Sequence, residues 1–414
     1  MPLWILRIGS VLWAWLVRLV ASFGHHRRAM ARVAIRREGQ TAVLAHRGAP
    51  LMWFHVASLG ELEQAIPVMQ AFRAAHPATP WLLTVYSPSA WHPLQAKGLP
   101  NAIPGWREGD LVVVLPDDQP GTWRTWLDTV PLRALALAKY DLWPNLLAAC
   151  RSRDLPVYAF AAAPSSTRSN PTPSTPALWR LLTSISVQDA AAAKSFARIG
   201  LTDHVTVDGD PRVERVLSRP ASPPKAWTDW AASASQVVVA GSTWPEEERA
   251  LRTLDWHPVR RLVLVPHDLS STHLDALDRQ WEGGAIRASQ WQDLEPEARD
   301  RWSVVIVDST GMLFDLYRIG TVAVVGGGHG TGLHNVLEPA SAGLPIVTGP
   351  DLGAFREAHA LRDLGALTSG DVADLTHAWL ADAASCRQFG AAGLAWLQSQ
   401  QGASARIVAR WDLR

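Results

Sequence analysis

The chain has 414 residues, 48% hydrophobic and 19% charged, with a formal net charge of +1 at pH 7. That length suits two domains of about 150–200 residues each, and the near-neutral balance argues against a non-specific nucleic-acid binder, so no nucleic acid is expected as a partner. The two cysteines, Cys150 and Cys386, show no metal or redox spacing and exclude a disulfide framework, which fits a reducing cytosolic compartment.

The first forty residues differ from the rest. Residues 4–23, WILRIGSVLWAWLVRLVASF, are apolar and tryptophan-rich but interrupted by Arg7 and Arg18. The uncharged core at 8–17 is too short to span a bilayer on its own. Tryptophan beside arginine suits an interfacial or tilted, snorkelling helix. A basic run follows, with His25, His26, Arg27, Arg28, Arg32, Arg36 and Arg37, and favours an anionic cytoplasmic leaflet. The segment 1–40 is therefore expected to associate with a membrane. A helix packed on the protein itself is the competing reading, as is a secretory signal, although no small-residue cleavage site precedes the basic run.

From residue 51 onward short apolar runs alternate with amphipathic helices, the pattern of an α/β sheet with crossover helices. Strands are expected at 51–56, 81–86, 111–115, 134–137, 157–161 and 205–207. The first leads through Ala57-Ser58-Leu59-Gly60 into a helix over 61–75. Proline and small residues over 218–235 read as a linker. The alternation restarts beyond it, with strands at 237–240, 261–265, 304–307, 322–325 and 344–347. The expected organisation is thus a segment 1–40, a domain 41–217, a linker 218–235 and a domain 236–414. Residues 170–176, NPTPSTP, read as a surface loop interrupting the first domain.

The stretch 322–350, VAVVGGGHGTGLHNVLEPASAGLPIVTGP, is the one around which the second domain is organised. A β-branched strand runs into Gly326, Gly327 and Gly328, then a helix over 338–342, with Asn335 as N-cap and Glu338 at capping-box spacing. Strand, glycine loop and helix N-terminus together present backbone amides to a phosphate; an ordinary glycine-rich turn is the bland alternative. The polar set His329, His334, Asn335 and Glu338 favours the functional reading. The strand ends Gly241-Ser242-Thr243, Pro266-His267 and Gly311-Met312-Leu313 can complete a nucleotide site. A Walker lysine motif, a dinucleotide fingerprint and a metal-ligand pair are all missing from the sequence, so no metal and no cofactor are expected.

In the first domain Glu61 stands at a strand-to-helix turn, either as a proton acceptor or as a helix-start carboxylate complementing the macrodipole. His55 reads as a structural strand-end residue and Glu63 as solvent-facing. Lys139 and Asp141 either frame a polar pocket or form a surface pair. Trp143 and Pro144 read as packing and helix-start residues. Arg212, after Gly209-Asp210-Pro211, could meet a phosphate or carboxylate through its planar fork.

With these residues in place the chain resembles the Kdo (3-deoxy-D-manno-octulosonic acid) transferases of lipopolysaccharide biosynthesis, and within them a Bacteroidetes-like branch. The blocks that carry the resemblance are HVASLGELEQAIP at 55–67, LWPN at 142–145 and AGSTWPEEE at 240–248, followed by Pro266-His267, Gly311-Met312-Leu313 and Asn335-Val336-Leu337-Glu338. It implies an α/β fold of the GT-B glycosyltransferase class, with two Rossmann-like doubly wound domains facing a central cleft and an N-terminal membrane-associated helix. It implies an inverting transfer from CMP-Kdo to a hydroxyl of a lipid A precursor at the cytoplasmic side of the cell inner membrane. Glu61 would be the proton acceptor, with Asp141 and Arg212 as transition-state stabilisers. CMP would be held by Gly241, Ser242, Thr243, Pro266, His267, Gly311, Met312, Leu313, Asn335, Val336, Leu337 and Glu338. The chain departs from the family's usual residues in carrying Lys139 and His267, and residues 165–169 echo the acceptor-side signature only loosely. A GT-B enzyme using a UDP-sugar, whether transferase or epimerase, and an inactive nucleotide-sugar- or lipid-binding relative are the alternatives.

Overall fold

Strand β1 (Leu51–Val56) is buried along its whole length, as a strand covered on both faces must be. Its side chains alternate between two layers: Leu51 and Trp53 enter one core cluster, Met52, Phe54 and Val56 the other. The remaining strands of this sheet are β2 (Trp81–Val85), β3 (Leu111–Val114), β4 (Leu132–Ala138), β5 (Val157–Ala162), β6 (Ser184–Val187) and β7 (Val205–Val207). The computed structural model describes residues 3–22, 40–162 and 176–413. The basic run at 25–37, the acceptor-like residues 165–169 and the loop at 170–175 lie outside the described residues.

The seven strands are parallel in the order β3-β2-β1-β4-β5-β6-β7. The chain builds outward from β1 to β3, then returns to lay β4 on the other side of β1. That reversal makes the β1/β4 boundary the switch point, outside whose carboxyl ends a doubly wound sheet opens a crevice.

A second parallel sheet comprises β8 (Gln236–Thr243), β9 (Arg260–Pro266), β10 (Ile286–Arg287), β11 (Val304–Ile306), β12 (Val322–Val325), β13 (Ile346–Thr348) and β14 (Leu367–Ser369), in the order β10-β11-β9-β8-β12-β13-β14. Its reversal falls between β8 and β12, again at the two strands whose ends carry small residues. The expected pair of Rossmann-like α/β domains is therefore present.

The two compact units are Met1–Arg215 with Gln400–Arg414, and Val216–Ser399. This differs from the expected boundaries at two places. The C-terminal segment belongs with the first unit: Trp411 stacks on Tyr158 at 5.3 Å and contacts Phe54 and Phe72. The Tyr158 hydroxyl donates to Asp412 O at 2.7 Å. Truncating a core tryptophan of this kind to alanine costs about 3–5 kcal/mol, enough to hold a chain end in place. The stretch 218–235, expected as a linker, contains the helix Lys225–Ala232, whose Trp227 and Trp230 are buried against Trp291. Periodic tryptophans there outweigh the flanking prolines.

Candidate active site

In the first unit the chain leaves β1 through Ala57 and Ser58 and enters the helix Leu59–Ala75. Ser58 is the N-cap and accepts from the Glu61 N–H at 3.4 Å, while Glu61 Oε2 accepts the Ala57 N–H at 2.6 Å. Ser58 and Glu61 thus make a capping pair, and the helix begins at Leu59 rather than at the expected Glu61. The carboxylate is 4% exposed. Burial raises its pKa above the ordinary 4.5; the Ala57 amide opposes that, and the charge of Asp141 pushes it further up. A carboxylate held this way is a stronger base than one in water, and one oxygen is pinned while the other is left for a proton.

Strand β4 ends beside β1, His55 pairing with Leu137 in register, and delivers Lys139, Tyr140 and Asp141. Lys139 takes φ +56, a left-handed conformation that is uncommon for a side-chain-bearing residue and that turns the chain sharply at the strand exit. Asp141 Oδ2 lies 2.7 Å from His55 Nε2 and 2.9 Å from Trp143 Nε1. On the far side of the ring, His55 Nδ1 is 2.8 Å from Thr84 Oγ1, which itself accepts the Trp53 indole N–H at 2.9 Å. The Asp141 carboxylate can only accept, so Nε2–H donates to it, while Nδ1 lies beside both Thr84 Oγ1 and, at 3.1 Å, Thr84 O. His55 is fully buried, and it is a functional neighbour of Asp141 rather than a lone strand-end residue.

Arg212 opens the helix Arg212–Ser218 just beyond β7, and its guanidinium holds Asp210 at 2.6 Å. Burial works against the Asp210 charge, yet Arg212 keeps its pKa below the ordinary range, with Lys139 helping. Glu61, Asp141, Lys139, Asp210 and Arg212 are linked electrostatically at one end of one sheet. Glu61 and Asp141 are thus brought within each other's electrostatic reach, and Arg212 connects to them only through Asp210 and Lys139. Glu63 pairs with Arg215 in a salt bridge.

In the second unit β8 carries a register shift between Gly241 and Thr243, and Ser242 takes φ +52 there, a bulge that re-aims the strand end. The His267 N–H donates to Thr243 O at 2.9 Å, joining two of the expected donor segments. His267 stacks on Trp244 at 4.6 Å and leans on His334 at 4.6 Å. Burial and the neighbouring His267 lower the His334 pKa, so its neutral Nε2 accepts the Trp244 indole N–H at 3.2 Å. Gly241 gives way to a third segment: a Cβ there would lie 2.2 Å from Tyr317 Oη and 2.8 Å from Leu313. Burial raises the Tyr317 pKa well above 10, and nearby Glu338 adds to it. Gly241, Leu313 and Glu338 thus meet around Tyr317. Gly311 turns with φ +94 and Met312 caps the helix Leu313–Leu316. Pro266 ends β9.

The glycine loop works differently from the expected amide cradle. The Gly327 N–H donates to Glu247 Oε1 at 3.2 Å, and the same oxygen lies 2.8 Å from His329 Nδ1. Glu247 Oε2 accepts the Trp244 N–H at 2.9 Å. Here a protein carboxylate occupies the amide that a phosphate would seek. Gly326 is required by close approach, since a Cβ would lie 2.1 Å from Ser242 O. The helix that follows is Leu337–Ser341, with Val336 at the N-cap position. Asn335 Oδ1 instead accepts the Leu337 N–H at 3.1 Å, so the expected Asn335 cap and the 338–342 bounds shift. A cavity of about 260 Å³ lies at the opposite, amino-terminal ends of β8 and β12, and none of the expected donor residues lines it.

The sequence reading missed Glu247, Glu248, His273 and Tyr317. Glu247 and Glu248 are buried in a run of three glutamates. Burial raises the Glu248 pKa, and His273, 3.0 Å away, opposes it.

Residues 27–215 match the family model described as 3-Deoxy-D-manno-octulosonic-acid transferase (kdotransferase). A 3-deoxy-D-manno-octulosonic acid transferase of Bordetella pertussis is 27% identical over 421 residues, 97% of this chain and 95% of its own. One of Haemophilus influenzae is 26% identical over 388 residues, 86% of this chain and 85% of its own. Among solved structures, a UDP-GlcNAc 2-epimerase from Methanocaldococcus jannaschii aligns with a TM-score of 0.53 at 11% identity, over 84% of this chain and 98% of that one. At that identity the likeness is one of fold.

Proposed function

We infer the chemistry from one premise: this chain belongs to the 3-deoxy-D-manno-octulosonic-acid (Kdo) transferase family. It is a glycosyltransferase of GT-B fold that transfers Kdo in lipopolysaccharide biosynthesis. Its donor is CMP-Kdo. The acceptor is a hydroxyl of a lipid A precursor, reached at the cytoplasmic side of the inner membrane.

The observation that carries the mechanism is Glu61: buried, pinned through one oxygen by the Ala57 amide, and placed with Asp141 at the β1/β4 switch point. The acceptor oxygen attacks the anomeric carbon of Kdo as the bond from that carbon to the CMP phosphate oxygen breaks. The hydroxyl proton passes to Glu61, and the bonding pair leaves with CMP. Arg212 and the Trp143–Asp141–His55 group balance the changing charge. In the second unit the Trp244–His267–His334 stack and the Gly241–Leu313–Glu338 surround receive the nucleotide.

A membrane-borne acceptor is supported by the N-terminal helix Leu3–Ser22. Arg7 and Ser10 bond inward to the first unit, while Trp4, Ile5, Ile8 and Leu12 are exposed. One side held by protein and the other apolar and open suits a helix lying in a membrane interface. Among the described residues no helix is long and apolar enough to cross a membrane. The test is incubation with CMP-Kdo and a tetra-acylated lipid A precursor, followed by mass spectrometry of the lipid. A lipid heavier by Kdo is expected; an unchanged lipid with CMP-Kdo intact would overturn the reading.

A further inference from the structure

The helix Pro144–Arg151 starts with a proline, which has no N–H to offer, and its N-cap Trp143 makes no side-chain cap. The next two amides therefore need an acceptor from elsewhere. Asp118 supplies it, at 2% exposure. Its Oδ1 accepts Leu146 N–H at 2.9 Å and the Trp123 indole N–H at 2.6 Å. Its Oδ2 accepts Asn145 N–H at 3.0 Å, Asn145 Nδ2–H at 3.2 Å and the Ser10 hydroxyl at 2.7 Å. Asn145, 1% exposed, accepts Arg7 Nε–H at 3.0 Å and donates back to Arg7 O at 3.2 Å. Two residues of the N-terminal helix thus complete a buried polar knot at the root of the turn that carries Asp141 and Trp143.

We propose that the Arg7–Ser10 face of the N-terminal helix is a positioning element of the transfer site, holding the Asp141–Trp143 turn through Asp118 and Asn145. The inference rests on Asp141 being part of that site. The same helix then has two faces with separate duties: Trp4, Ile8 and Leu12 meet the surroundings, while Arg7 and Ser10 set the turn. Loss of Arg7 and Ser10 leaves a buried carboxylate and a buried amide short of partners, which loosens the start of the helix Pro144–Arg151. Asp141 and Trp143 then lose their fixed placement against His55, and catalysis suffers with donor binding intact, because the donor residues lie on other elements.

The experiment compares two double variants of the full chain in detergent, with the acceptor dispersed in the same micelles so that membrane delivery is not limiting. One is Arg7→Ala with Ser10→Ala; the other, on the exposed face, is Ile8→Ser with Leu12→Ser. Hydrogen exchange is followed in the peptide covering 140–147, alongside kcat and the KM for CMP-Kdo. In the first variant the Asn145 and Leu146 amides should exchange about tenfold faster, and kcat should fall by a similar factor with KM unchanged. The single variant Ser10→Thr, which keeps the hydroxyl, should behave as the unaltered protein. The second double variant should leave exchange and kcat alone. Unchanged exchange in the first variant, or faster exchange with unchanged kcat, would overturn the proposal, as would equal effects from the exposed face. Absence of transfer by the unaltered protein would instead sink the functional reading, and the exchange comparison would still decide whether the helix holds the turn.

Discussion

His55 Nε2 lies 2.7 Å from Asp141 Oδ2, although 86 positions separate them along the chain. The pair joins the carboxyl ends of β1 and β4, the two strands that flank the switch point of the first sheet. Asp141 lies close enough to Glu61 for its charge to help raise that residue's pKa, while His55 works the other way.

Replacing His55 by phenylalanine takes one of the two ring N–H donors from Asp141, leaving only Trp143, and removes the ring nitrogen beside Thr84 Oγ1. A buried group left unpaired costs about 1–3 kcal/mol, so the urea midpoint should fall accordingly. Turnover should fall more than stability alone explains, by roughly tenfold or more, because Asp141 loses its orientation. Equal kcat in the variant and the unaltered protein would show the pair to be structural only.

Glu61→Gln should stabilise the folded protein at neutral pH. The folded-state pKa is raised, so the protonated carboxyl favours folding fully below 4.5, and that advantage is lost as pH rises through the folded pKa. Glutamine keeps the Ala57 contact without the buried charge. Melting temperatures measured from pH 4 to pH 8, endpoints chosen to bracket about one to three units above an unperturbed carboxyl, should show a gain for the variant that grows with pH. A gain independent of pH would argue against a buried charge.

Gly326→Ala should fold poorly, since its Cβ would meet the Ser242 carbonyl at 2.1 Å, a backbone atom that cannot swing aside. Loss of about 3 kcal/mol or more is expected, read as a fall in melting temperature. Glu247→Ala should do comparable damage, because the Gly327 and Trp244 amides and His329 all lose their acceptor. Near-normal melting of both variants would remove the packing account of the glycine loop.

CMP should stabilise the protein against heat more than UDP does. Ligand at a hundredfold excess over its Kd is worth about 2.7 kcal/mol, and His267→Ala should reduce the CMP effect by removing the centre of the Trp244–His267–His334 stack. A larger shift with UDP would favour a UDP-sugar enzyme of the same fold.

Much of the fold was legible because parallel strands buried on both faces are continuous apolar runs: those at 51–56 and 322–325 match β1 and β12 residue for residue, and the half-exposed edge strand at 205–207 matches β7 through its β-branched residues. Ser184–Val187, Ile286–Arg287 and Leu367–Ser369 were missed, since each is too short or too polar to carry a pattern and is held by its neighbours in the sheet. Glu61 was legible from its place after a strand. His55 was undervalued because its partners are 29 and 86 positions away. Glu247 was hidden in a triple-glutamate run that looks like a solvated helix face, yet it is fully buried. The one available signal was the position of that run, at a helix start immediately after the β8 strand end.

The most direct test of the account is the rate of Kdo transfer by Glu61→Gln, measured with CMP-Kdo and a lipid A precursor. Loss of the proton acceptor should lower kcat by about 10²–10⁴-fold while CMP-Kdo still binds and the protein stays folded. A variant that transfers Kdo at close to the unaltered rate would contradict the role given to Glu61.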